Sequence, residues 1–132
     1  MADAFAKRVE IVMRCWTAIT VYALLSATPA FAAGGGAIAW DRETGKYGTS
    51  WNQPAPKRAE EVAIGECGAR GCKVVLKVRP AMCGALATTA DGKKAGAATR
   101  KDLDSARVAA LTACHKNKEA TECAVKAADC NK

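Results

Sequence analysis

Cysteine placement constrains the fold of this chain more than any other feature. The 132-residue sequence has seven cysteines. One, Cys15, lies in an apolar N-terminal run; the other six are Cys67, Cys72, Cys83, Cys114, Cys123 and Cys130. An even set in a short exported domain forms a disulfide framework. The need is physical: a chain rich in Ala and Gly buries little area per residue, and each bridge destabilises the unfolded state by about 2–4 kcal/mol.

Export is read from the first 32 residues. Lys7, Arg8 and Arg14 precede the apolar run from Cys15 to Ala27, and Pro29-Ala30-Phe31-Ala32 follows. A basic start, a short apolar core and small residues at Ala30 and Ala32 make a cleavable signal peptide, cut between Ala32 and Ala33. Residues 13–32 alone form a complete signal, so Met1 and Met13 are both candidate starts. The apolar run is shorter than the ~20 residues of a membrane span. Val12-Met13-Arg14 before Cys15 is no lipobox. The expected mature protein, residues 33–132, is one domain, periplasmic or secreted. Its leader removes one positive charge from the formal +7 of the whole chain, leaving +6. That balance favours acidic partners, an anionic envelope polymer among them. The basic residues are scattered in runs no longer than two, so specific nucleic-acid binding is not expected.

The domain is internally duplicated. Gly36-Ala37-Ile38-Ala39 recurs as Gly84-Ala85-Leu86-Ala87, and Ala59, Val62, Ala63, Ile64 and Cys67 as Ala106, Ala109, Ala110, Leu111 and Cys114. Cys72 with residues 73–78 then matches Cys123 with residues 124–129. Three blocks in one order at a nearly fixed offset mark a repeat, with copies at about residues 35–80 and 83–130. In the first copy, an apolar strand from Gly36 to Asp41 turns through Arg42-Glu43-Thr44-Gly45 and returns from Lys46 to Trp51. Asp41 should then face Lys46, Trp40 face Tyr47 and Ile38 face Thr49. Pro54 and Pro56 suit a helix start, Gly65 and Gly68 its end, and residues 72–78 a last strand. In the second copy, strands are predicted at 84–89, 94–98 and 122–129. Asp91-Gly92 marks the turn. Asp102 caps a helix from Leu103 to about Cys114, whose inner face is expected at Val108, Ala110 and Leu111. The fold class is α+β: a duplicated, disulfide-stabilised β-β-α-β unit with two helices packed on an antiparallel or mixed sheet. Six cysteines allow fifteen pairings. Duplication favours Cys67–Cys72 with Cys114–Cys123, which leaves Cys83–Cys130.

The order of motifs carries a resemblance. Gly36-Ala37-Ile38-Ala39-Trp40 is followed by Thr44-Gly45, Gly48-Thr49-Ser50-Trp51-Asn52 and an Ala-rich helix ending at Cys67. Gly71-Cys72-Lys73-Val74-Val75 and Cys83-Gly84-Ala85-Leu86-Ala87 come next. This pattern, over about residues 35–130, resembles the bacterial exported family filed as domain of unknown function 4189. The resemblance implies a small exported protein and supplies no catalytic residues.

No reactive constellation stands out. His115 adjoins Cys114, but neighbouring helix positions point about 100° apart, and the duplicate Cys67 has no histidine beside it. Cys67-x4-Cys72 and Cys114-x8-Cys123 lack the tight spacing of zinc knuckles. No cofactor, metal ligand or catalytic residue is assigned. Glu60, Glu61, Asp102 and Asp104 lie at helix starts, where negative charge is stabilised by the dipole. The candidate binding residues are Trp40, Tyr47 and Trp51, aromatic in the first copy only, with Lys73, Lys77 and Arg79. Lys73, Val75, Lys77 and Arg79 should share one face of the third strand. The expected function is a non-enzymatic binding or inhibitor-like module, with an envelope or secreted protein or an anionic polymer as partner. The alternatives are a small exported enzyme and a purely structural envelope protein.

Overall fold

The structure, a computed structural model, describes residues 34–117 and 122–132. The expected signal peptide, with Cys15 and the Ala32–Ala33 junction, lies outside the described residues. Strands β1 (Gly35–Trp40) and β2 (Tyr47–Gln53) precede helix α1 (Pro56–Cys67) and strand β3 (Lys73–Val78). Strands β4 (Cys83–Thr89) and β5 (Ala95–Arg100), helix α2 (Leu103–His115) and strand β6 (Cys123–Cys130) repeat that order. The β-β-α-β unit is therefore present twice. Each copy forms its own three-stranded antiparallel sheet, ordered β2-β1-β3 and β5-β4-β6.

The hairpin register is the expected one, with Ile38 opposite Thr49 and Trp40 opposite Tyr47. The Asp41 N–H donates to the Lys46 carbonyl at 2.8 Å. The helix signals also act as read. Pro56 occupies the first turn of α1, and Gly68 closes it with a left-handed φ of 69°. Asp102 accepts from the Ser105 N–H at 2.8 Å at the start of α2. The Ser105 hydroxyl, with that N–H, holds the Asp102 carboxyl below the usual carboxylate range.

The central strands β1 and β4 read as small-apolar runs because both their faces are covered. Ala37 and Ala39 pack beneath Ala59, Ala63 and Cys67 of α1. Ala85 and Ala87 pack beneath Ala106, Ala110 and Cys114 of α2. The alternate residues, Ile38, Leu86 and Thr88, are fully buried on the opposite faces, where the two sheets stack. Leu76 and Val78 of β3 and the Trp51 ring meet Gly84 across that interface. The turn tips also touch, Gly45 against Gly92, both at positive φ. The layers thus run helix, sheet, sheet, helix, with β1 over β4 at the centre.

Two expectations are corrected. Val108 is 64% exposed, and the buried face of α2 is Ala106, Ala110 and Cys114. Val108 lies two positions from both Ala106 and Ala110, about 200° around the helix. In β3, Ile38 pairs with Leu76 but Ala39 pairs with Val74, so Val75 is an extra, bulged residue. Lys77 therefore sits opposite Ala37 on the helix side, whereas Lys73 sits opposite Trp40 on the other side. The expected single cationic face is broken.

Three disulfides join the pairs that duplication favoured: Cys67–Cys72, Cys114–Cys123 and Cys83–Cys130. The first two tie each helix end to the strand that follows it, and the third ties β4 to β6. Such bridges fit an oxidising compartment, extracellular or periplasmic. Among the described residues, no helix is long and apolar enough to cross a membrane.

Candidate functional site

A cleft of about 270 Å³ opens where the first repeat's strand ends converge. One wall is the β2–α1 connection, Pro54 to Pro56. The other is the end of β3 with Arg79 and Pro80, and Gly35 and Gly36 of β1 form the floor. Proline suits these walls because its fixed φ holds an apolar surface in place at low entropic cost.

The walls are held by a residue that the sequence reading missed. Asn131 is buried, and its Nδ2 donates to the Val78 carbonyl at 3.1 Å and the Arg79 carbonyl at 3.0 Å. Its Oδ1 accepts from the Asn52 N–H at 2.9 Å, and its own N–H donates to the Met82 carbonyl at 2.9 Å. Lys132 N–H donates in turn to Asn52 Oδ1 at 2.7 Å. One amide therefore ties the ends of β2 and β3 together. Asn131 follows Cys130, so the Cys83–Cys130 bridge fixes it in place. The only sequence signal was an amide next to the last cysteine.

Lys77 and Arg79 stand at this cleft; Lys73 does not. Lys77 Nζ is 2.7 Å from Glu60 Oε1, so its charge is already partnered from α1. Arg79 is exposed, and its side chain has no hydrogen-bond or ion-pair partner among the described residues.

The three aromatic residues sit elsewhere, and each reaches the second repeat. Trp40 Nε1 donates to the Gly92 carbonyl at 2.9 Å, and the Tyr47 hydroxyl donates to the Lys126 carbonyl at 3.2 Å. The Trp51 ring lies against Gly36 and Gly84. Trp40 and Trp51 meet glycines of the other copy and Tyr47 meets its backbone, which gives the asymmetry a packing reason. Trp51→Ala is accordingly expected to lower stability by about 2–3 kcal/mol, the burial of roughly half an indole. A urea melt of the oxidised protein checks this; an unchanged midpoint would return the ring to the surface.

Most of the candidate reactive groups are engaged in the fold. Cys114 is bonded to Cys123, so no thiolate stands beside His115. His115 and Glu122 line a shallow depression with Lys126, but no hydrogen bond or ion pair joins them. Glu61 lies 3.6 Å from Arg58, and Asp104 lies 3.2 Å from Arg107. Asp41 and Asp91 close the two hairpin turns. The Thr44 hydroxyl and Glu43 N–H hold Asp41 below the usual carboxylate range, and the Thr89 hydroxyl and Lys93 N–H do the same for Asp91. Among the described residues, no cluster of His, Cys, Asp or Glu could hold a metal ion.

Two curated relatives are an uncharacterized protein of Mycobacterium tuberculosis (Rv1813c) and one of Mycobacterium bovis (Mb1843c). Each is 46% identical over 52 residues, which is 39% of this chain and 34% of the relative. The chain thus spans about a third of the length of the curated relatives it matches. No solved structure matches it significantly. The profile of the family described as Domain of unknown function (DUF4189) matches residues 36–130, and the chain belongs to that family.

Proposed function

We propose that the domain is a non-enzymatic binding module of the periplasm or the medium. It takes an apolar group with an anionic end into the proline-lined cleft of the first repeat. The observation that carries this reading is a concave, apolar cleft with Arg79 at its rim, unpartnered among the described residues. Apolar walls with one placed charge are the usual composition of a small-ligand site. A guanidinium suits a carboxylate or phosphate through paired N–H donors. The ligand is carried by an envelope polymer or by another exported protein, and the +6 formal charge of residues 33–132 favours an acidic one.

Affinity capture from the envelope fraction tests it. The oxidised protein should retain a partner that Arg79→Glu releases and Ala55→Trp, which fills the cleft, also releases. His115→Ala should retain it. A partner held equally by all variants would place binding elsewhere.

A further inference from the structure

We propose that the outer edge of β5 is a docking strand. The partner is an extended peptide segment with small apolar side chains between acidic residues. This surface is separate from the cleft. Four strands lie at sheet edges, and three of them are irregular. The pairings of β2, β3 and β6 with their central strands each contain a register shift. The β4–β5 ladder runs without one from Cys83–Arg100 to Thr88–Ala95. Bulges, proline and charge are how proteins blunt an exposed edge. From Ala95 to Thr99, β5 has none of them.

Its outward-facing backbone groups can be assigned. The Thr89 N–H donates to the Lys94 carbonyl at 3.0 Å, so 89 and 94 form a hydrogen-bonded pair. Antiparallel ladders alternate. The printed register therefore makes Ala87–Gly96 and Ala85–Ala98 bonded pairs and turns the N–H and C=O of Ala95, Ala97 and Thr99 outward. The Arg100 guanidinium donating to the Thr99 carbonyl at 2.6 Å agrees with that assignment. A groove of about 820 Å³ flanks the edge. Leu76 borders it on the sheet side, and Ala98, Thr112 and the 64% exposed Val108 border it on the α2 side. An added strand would place alternate side chains against Leu76 and against Val108.

Charge selects the occupant. Lys93-Lys94 precedes the strand, and Arg100-Lys101 ends it. In a two-fold pairing of β5 with a second copy, centred on Ala97, Lys93 would face Lys101 and Lys94 would face Arg100 at both ends. Like charges directly opposite are destabilising. A segment with acids at both ends meets the same four cations favourably.

The test is an NMR titration of the oxidised protein with the peptide Asp-Glu-Ala-Val-Thr-Val-Ala-Glu-Asp at low salt. Amides of Ala95, Ala97 and Thr99 are expected to shift and to gain protection from solvent exchange. The peptide with Lys at its four acidic positions should bind at least about 10-fold more weakly. Ala97→Pro should abolish binding while the fold persists, because the lost N–H points away from β4. Independently of that variant, joint K93E, K94E, R100E and K101E replacement should reverse the peptide preference. Equal affinity for the two peptides, or shifts confined to the cleft around Arg79, would overturn the proposal. So would a free protein that is dimeric through β5, which would make a second copy the occupant.

Discussion

Full reduction is expected to unfold the domain, whereas a chelator should leave its melting unchanged. The bridges close loops of very different length, with sequence separations of 5, 9 and 47. Loop-closure entropy gives about 2–3 kcal/mol for each short loop and about 4 for the long one. Together these are on the order of the whole stability of a small domain. The alanine-lined interior does not replace that contribution, since each buried methyl removes little area from water. Cys83–Cys130 should matter most. It closes the longest loop and also holds Asn131, which ties the cleft walls. Replacing both of its cysteines with serine should cost more than replacing either short bridge. Thermal melts with dithiothreitol or EDTA decide between the chemistries. Melting lowered by EDTA alone would mean that the thiols bind metal.

Gly96→Ala is expected to destabilise the oxidised protein by more than about 3 kcal/mol. A Cβ at Gly96 would fall within the backbone of Ala110, Ala113 and Cys114 of α2. Gly48 occupies the equivalent place beneath Ala63, Glu66 and Cys67 of α1, so Gly48→Ala should behave alike. A side chain at fault could rotate away; a helix backbone must move as a whole and would open the alanine contacts beneath it. Gly65 provides the contrast. It lies inside α1 with nothing within 4 Å of a would-be Cβ, so Gly65→Ala should stabilise by about 0.5–1 kcal/mol. Urea midpoints of the three variants check the pattern. A tolerated Gly96→Ala would mean that α2 lies farther from β5 than described.

These glycines also explain what the sequence revealed and what it hid. The duplication was legible because both copies solve one problem, a helix lying on the backbone of a sheet. Small residues therefore recur at matched positions. That solution also defeated the apolar reading of α2. At so short a spacing Ala106 and Ala110 fit the inner face, and the larger Val108 is left outside. The hairpin register followed from its turn, but the Val75 bulge in β3 was invisible because local alternation survives across it: Lys73, Val75 and Lys77 are all exposed. The aromatic asymmetry was visible, yet its cause was not. It depends on how one sheet lies on the other, which no local pattern encodes. Asn131 was missed for a related reason, since its partners are 52 and 53 residues away along the chain at Arg79 and Val78.

The most direct measurement of the binding account is an amide NMR titration of the oxidised protein with hexanoate, and with hexylammonium as its charge-reversed counterpart. Cleft binding predicts saturable shifts at Gly35, Gly36 and Val78 with the carboxylate. Arg79→Glu should lose that response and gain one to the ammonium. Shifts scattered over the surface, or the same response to both probes in both proteins, would contradict a cleft built to hold an apolar anion.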